Sequence, residues 1–357
     1  MRTTLNRSAV VLPPLALGVL IAVWGRRLPL PVEVVVVALL AGSVLAAVHH
    51  AEIVAHRVGE PFGSLILAVS VTVIEVGLIL TLMLSGGSGT ATLARDTVFA
   101  AVMITCNGIA GLSLLVAVLR THVAVFNAEG TGAALAAVIT LATLSMVLPT
   151  FTISAPTPQF TGPQLAFAAV ASLTLYTLFV IVQNVRHRES FMPVDGPAEE
   201  HAEFPSGRQA FTSLLLLLAA LISVVGLAKV ESGTIETGVA RVGLPHSFVG
   251  VVIAVLILLP ETLAAVRNAR RDQVQISLNL AFGSAIASIG LTIPAIAVAS
   301  IWLEGPLHLG LGATQIVLLA LTAGVGILTV MPGRATLLQA AVHLSICAAF
   351  LFLAASP

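Results

Sequence analysis

Two glutamates stand alone inside long apolar runs, Glu75 within Phe62 to Leu84 and Glu261 within 247–267. An ionised carboxylate at the centre of a membrane helix costs about 2.5–3.5 kcal/mol even on a lenient insertion scale, so such residues mark function. Brought together in a low dielectric, two carboxylates cannot easily both be ionised with nothing between them. Protons on the oxygens relieve the repulsion, and so does a hard cation between them. Oxygen ligands suit calcium, sodium or magnesium better than softer metals. The two occupancies exclude each other, which is the chemistry of cation–proton exchange. Glu75 and Glu261 are therefore the expected cation- and proton-binding residues.

Other polar groups lie at similar depth. Ser70, Thr72, Thr105 and Asn107 in the first half and Asn279, Ser284 and Ser288 in the second would complete the coordination. A lone Ser or Thr in a membrane helix is more often bonded back to its own backbone. Asn107, an amide deep in an apolar span, is harder to explain that way. His49, Glu52 and His56 fall on one helical face with His50 beside them, and Glu60 precedes Pro61 at the mouth of the next span. They read either as a metal or pH-sensing cluster and an ion entrance (Glu52, His56, Glu60), or as interfacial polar residues reaching water. His343 has no acidic neighbour in its span and reads as packing. Arg95-Asp96 and Arg271-Asp272 sit near span starts, where Asp is expected to cap.

The elements that must position these residues are membrane helices. Of the 357 residues, 58% are hydrophobic and only 9% charged, against about 25% charged in soluble domains. Zero net charge leaves no electrostatic footprint for nucleic acid. Cys106 and Cys347 lie in apolar runs and read as reduced, buried thiols. The apolar runs are continuous rather than alternating, which indicates helices and not a barrel. About eleven spans are expected, near 8–25, 30–49, 62–84, 97–119, 131–150, 163–184, 210–228, 247–267, 274–301, 312–330 and 335–353. With the N-terminus inside, eleven of the 16 basic residues fall on one side and five on the other. The positive-inside tendency then makes the N-terminus cytoplasmic and the C-terminus external.

Shifting the chain by 186 residues lays Glu75 on Glu261, Phe62 on Phe248 and Ala68 on Ala254. Five spans separate the copies, so they run in opposite directions, as in transporters built from inverted repeats. The expected fold is all-α and polytopic. An extra N-terminal helix (1–28) precedes a first five-helix repeat (29–185), an acidic cytoplasmic linker (186–209) and a second, inverted repeat (210–357). Pro260, which removes a backbone donor, would break its helix beside Glu261. The small residues Gly283, Ser284, Ser288 and Gly290 would let the ninth span pack closely.

The strings His50-Ala51-Glu52, Ala55-His56-Arg57-Val58-Gly59-Glu60-Pro61-Phe62-Gly63-Ser64, Ile74-Glu75-Val76, Leu259-Pro260-Glu261 and Asn279-Leu280-Ala281-Phe282-Gly283-Ser284 resemble the cation/proton antiporter branch of the calcium/cation antiporter superfamily. Among its types, the bacterial calcium (sodium)/proton antiporters are the nearest match. The resemblance covers nearly the whole chain. It implies a secondary transporter of a prokaryotic plasma (inner) membrane, with lipid, transported cations and protons as its partners and no cofactor. It also places the two essential glutamates on Glu75 and Glu261. The wider family often has Gly-Asn four and three positions before each glutamate. Here those places hold Val71 and Thr72, and Ile257 and Leu258, so sodium or potassium stays open beside calcium. A carboxylate-lined cation channel is the rival reading. An intramembrane hydrolase is disfavoured, because no Gly-x-Ser-x-Gly elbow is present.

Overall fold

A computed structural model describes residues 7–26, 28–59, 62–85, 90–154, 158–193, 205–302 and 305–357. Lipid offers no partner to backbone N–H and C=O groups, so apolar runs of this length satisfy them internally as helices. Ten described helices are long and apolar enough to cross a membrane. They are α2 (Leu30–Val58), α3 (Phe62–Ser85), α4 (Thr90–Thr121), α5 (Ala128–Phe151), α6 (Gly162–Arg186), α7 (Gly207–Arg241), α8 (Phe248–Ala269), α9 (Val274–Ala299), α10 (Ala313–Val330) and α11 (Leu337–Ala355). The expected first span is α1 (Arg7–Val23), only 17 residues long with Pro13 and Pro14 inside it. That length is at the lower limit for spanning a bilayer.

Helix starts are written locally. Asn127 Oδ1 accepts the N–H groups of Glu129 (2.9 Å) and Gly130 (3.2 Å) ahead of α5. Gln side chains three residues into the boxes accept the cap N–H of Thr161, Ser206 and Thr336 at 2.7–2.9 Å, opening α6, α7 and α11. The two Asp residues do not cap. Asp96 lies a turn and a half inside α4, accepting from Thr92 (2.8 Å) and pairing with Arg95 (2.8 Å). Asp272 occupies the turn after α8 at φ 61°, a left-handed position Asp tolerates. Nor does Pro260 break its helix, because α8 runs unbroken through it. A membrane helix absorbs one missing donor when neighbours and local adjustments take up the freed carbonyl.

The chain divides into two compact units, Met1–Thr90 with Ala198–His246, and Ala91–Pro197 with Ser247–Pro357. In the first, α1, α2, α3 and α7 pack together. The His50 Nε2–H donates to the Ala9 carbonyl at 3.0 Å, tying α2 to α1. Gly77 lies against Val225, where a Cβ would stand 2.5 Å from a methyl, so the glycine lets α3 pack closely on α7.

The second unit holds α4–α6 and α8–α11. A two-residue ribbon, β1 (Ala124–Val125) with β2 (Arg334–Ala335), joins the turn after α4 to the turn before α11. Within the expected linker, Arg188–Phe191 forms a 3-10 turn, and the Asn279 amide donates to the Phe191 carbonyl at 2.6 Å. The linker residues 194–204 lie outside the described residues. Along α9, Gly290 presses on Tyr176 of α6, while Gly283 meets nothing within 4 Å. A Cβ at Gly290 would stand 2.6 Å from Tyr176 Cβ, so Gly290→Ala should destabilise this unit by about 1–3 kcal/mol. Thermal unfolding in detergent measures it, and an unchanged midpoint would contradict the close contact.

Candidate functional site

Glu75 and Glu261 each stand thirteen residues into their helix, α3 from Phe62 and α8 from Phe248. That is about 20 Å along the axis, well into a hydrocarbon core about 30 Å thick. Both are buried, with 3% and 8% of their surface exposed. Glu75 belongs to the first unit and Glu261 to the second.

The remaining candidates sort by what holds them. Ser70 is bonded back to the Ile66 carbonyl at 2.7 Å, and Thr105 to those of Ala101 (2.7 Å) and Val102 (3.0 Å). These hydroxyls have spent their proton on the backbone but keep lone pairs. Thr72 and Ser288 are buried and Ser284 is half-buried. Asn279 is engaged at both amide atoms, accepting from Gln275 (2.8 Å) and donating to Phe191. Glu52 and His56 are exposed on α2, and Glu60 lies outside the described residues. Among the described residues no three of His, Cys, Asp and Glu form a group able to hold a metal ion. His50 ties α2 to α1.

The second unit carries a buried polar network that the local sequence does not announce. Within α4 the backbone switches to π-helical spacing over Ile104–Ile109, and the Ala110 N–H bonds to the carbonyls of Thr105 and Asn107. Such π-bulges recur at functional sites. Asn107 sits in this bulge, fully buried. Its Nδ2 donates to Thr322 Oγ1 at 2.9 Å, and its Oδ1 faces His343 Nδ1 at 3.1 Å. His343 Nε2 faces Thr329 Oγ1 at 3.1 Å. Gly111 makes room for α11, since a Cβ there would stand 3.0 Å from His343 Cβ. Asn107 therefore fastens α4 to α10 and α11 rather than turning a free amide toward an ion. His343 is a hydrogen-bonded partner, not mere packing.

This arrangement of membrane-length helices has known counterparts. The sodium/calcium exchanger protein family matches residues 30–185 and 212–355, most of the chain, each block holding five of the long helices. The chain belongs to that family. Its relatives include a Sinorhizobium fredii protein named as an ionic transporter, y4hA, 46% identical over 89% of this chain and 87% of its own. The Escherichia coli protein named sodium-potassium/proton antiporter ChaA is 33% identical over 98% of this chain and 96% of its own. Among solved structures, YfkE superposes with a TM-score of 0.73 at 16% identity, covering 98% of this chain and 99% of that one. A structure titled H+/Ca2+ exchanger CAX gives 0.65 at 15%, covering 98% and 92%. At such identities these two structures speak for the fold. This member of the exchanger family is an integral, multi-pass membrane protein and a secondary transporter of the cation/proton antiporter branch.

Proposed function

We propose that the chain exchanges a monovalent cation, sodium or potassium, for protons, and that Glu75 and Glu261 form the site the two species occupy in turn. The observation that carries this is the matched pair: two buried carboxylates, each thirteen residues into a membrane-length helix, one from each half. A monovalent cation held between the carboxylates and a single proton shared by them leave the same net charge, so either loaded state can cross while the empty, doubly ionised one is penalised. Alternating access of the two inverted halves would carry one species each way. The 33% identical relative named as a sodium-potassium/proton antiporter supports the monovalent reading. So does the apolar pair Ile257 and Leu258 before Glu261, which adds no side-chain oxygen. Calcium is the second reading, favoured by the resemblance to calcium/proton antiporters. The N-terminus is cytoplasmic and the membrane is the prokaryotic inner membrane in this proposal.

In proteoliposomes, an imposed pH gradient should drive uptake of sodium or potassium, with protons moving the opposite way in fixed ratio. Competition among sodium, potassium, calcium and magnesium then ranks the substrates. Current without coupled proton movement would instead identify a channel. Proton-independent flux of every cation would end the antiport proposal.

A further inference from the structure

We infer that His343 is a proton-binding group of the transporter, the inner end of a proton-access route from the β1–β2 end of the second unit. The inference rests on the proton-antiport reading for its role, but not for its chemistry.

Hydrogen-bond direction fixes which nitrogen does the work. Thr322 has the Leu318 carbonyl at 2.8 Å and Met103 Sδ at 3.6 Å as acceptors for its one hydroxyl proton, so with that proton spent on either of them its oxygen accepts from Asn107. The group facing it at 2.9 Å must then be the Asn107 NH2, which assigns the amide orientation and leaves Oδ1 toward His343. An acceptor at 3.1 Å from Nδ1 requires Nδ1 to carry the hydrogen. In the neutral ring Nε2 is therefore the bare base, accepting from the Thr329 hydroxyl at 3.1 Å. A proton arriving at Nε2 breaks none of the other bonds. The Thr329 hydroxyl rotates, its oxygen accepts the new Nε2–H, and its own hydrogen turns to backbone, as helical threonines allow.

A cavity lies against this ring. His343, Thr329, Thr131 and Phe126 line it among apolar side chains, and its volume of about 10 Å³ is at the lower limit for a single water molecule. Thr131 accepts from Gln275 Nε2 (3.3 Å), and Gln275 Oε1 accepts the Asn127 N–H (2.6 Å) at the cap of α5, beside β1. The polar chain from that end of the unit reaches Thr131, which shares the cavity with the ring, and the ring is six residues, about 9 Å, into α11. The proton would come from bulk water by way of a water in the cavity, and return or pass on by the same exchange.

The elements packed on α11 are α4, α8, α10 and β2. Their charged or titratable groups are Cys106, Arg120 and the Arg95–Asp96 pair on α4, Glu261 and Arg267 on α8, and Arg334 on β2, with Cys347 on α11 itself. None of these side chains is a hydrogen-bond partner of the ring, whose side-chain partners are Asn107 and Thr329.

Two measurements on the full chain test this. The first is NMR of ring-labelled histidines in nanodiscs, with His343→Gln assigning the resonance. It should show a neutral form protonated at Nδ1 that gains a second proton at Nε2 on acidification. A neutral form protonated at Nε2, or a ring that never takes a second proton over the pH range of transport, overturns the inference. The second is exchange in proteoliposomes. His343→Gln should shift the pH profile of the wild-type rate, on top of the dependence that the proton-binding glutamates give any coupled exchange. An unchanged pH profile in a variant that still exchanges overturns the inference. A wild type without proton coupling overturns the antiport reading instead, and the NMR result then still decides whether the ring binds a proton.

Discussion

Glu75→Gln and Glu261→Gln should each abolish exchange while leaving insertion and folding intact. Glutamine keeps the shape and one acceptor oxygen, but it carries neither a charge to hold a cation nor a proton to release. Losing one partner of a buried charge interaction costs about 2–5 kcal/mol, or about thirtyfold to several thousandfold in binding. Insertion should not suffer, because a neutral amide is less costly in the membrane than a buried carboxylate. Both variants should therefore reach the membrane at wild-type levels, and counterflow assays should find each without coupled flux. The readout is residue-specific: a variant that keeps the wild-type rate places its carboxylate outside the transport site. If the glutamates act as one pair, the double variant is no worse than either single one.

The second large effect is expected at Asn107. Replacing it with leucine preserves volume but removes both amide bonds, leaving His343 Nδ1–H facing methyl groups in a site with no exposed surface. A buried donor left unmade costs about 1–3 kcal/mol. Thr322 is affected less, since it keeps its bond to the Leu318 carbonyl. Asn107→Leu should therefore lower the unfolding free energy in detergent by about that amount. Combined with His343→Leu, it should show a coupling of about 0.6–2 kcal/mol, the range found for hydrogen bonds between membrane helices. Strict additivity of the two substitutions would show that the amide and the ring do not act together.

Asn107 and His343 also mark the limit of sequence reading here. An amide deep in an apolar span signals a buried partner by itself, because leaving it unmade in lipid is expensive. Nothing in the sequence says which of the other spans supplies that partner, and His343 is 236 positions away. The π-bulge that aims the amide is equally hidden, since Ile104-Thr105-Cys106-Asn107-Gly108-Ile109 reads as ordinary helix. One signal was available: Thr322 and Thr329 in 316–330, and His343 and Ser345 in 340–355, are the polar side chains in otherwise apolar stretches of two consecutive spans.

The capping expectations for Asp96 and Asp272 failed for a related reason. Cap preference is a weak local bias, and α4 gained an extra turn and a half at its start once Thr92 and Arg95 could satisfy Asp96 from inside the helix. Pro260 failed as a helix break because α8 as a whole outweighs one missing donor.

The helical, membrane-spanning class, the approximate span positions and the matched positions of Glu75 and Glu261 in their helices are all legible in the amino-acid order. Those follow from hydropathy over some twenty residues and from the cost of a charge in lipid, both properties of the local chain. Which polar groups meet is set by how the helices pack. Asn107 was drawn into a network with Thr322 and His343, and His50 was bonded to the α1 backbone. In an apolar medium a polar side chain takes whichever partner packing brings within reach, and helix packing is settled by shape along whole faces rather than by any short stretch of sequence.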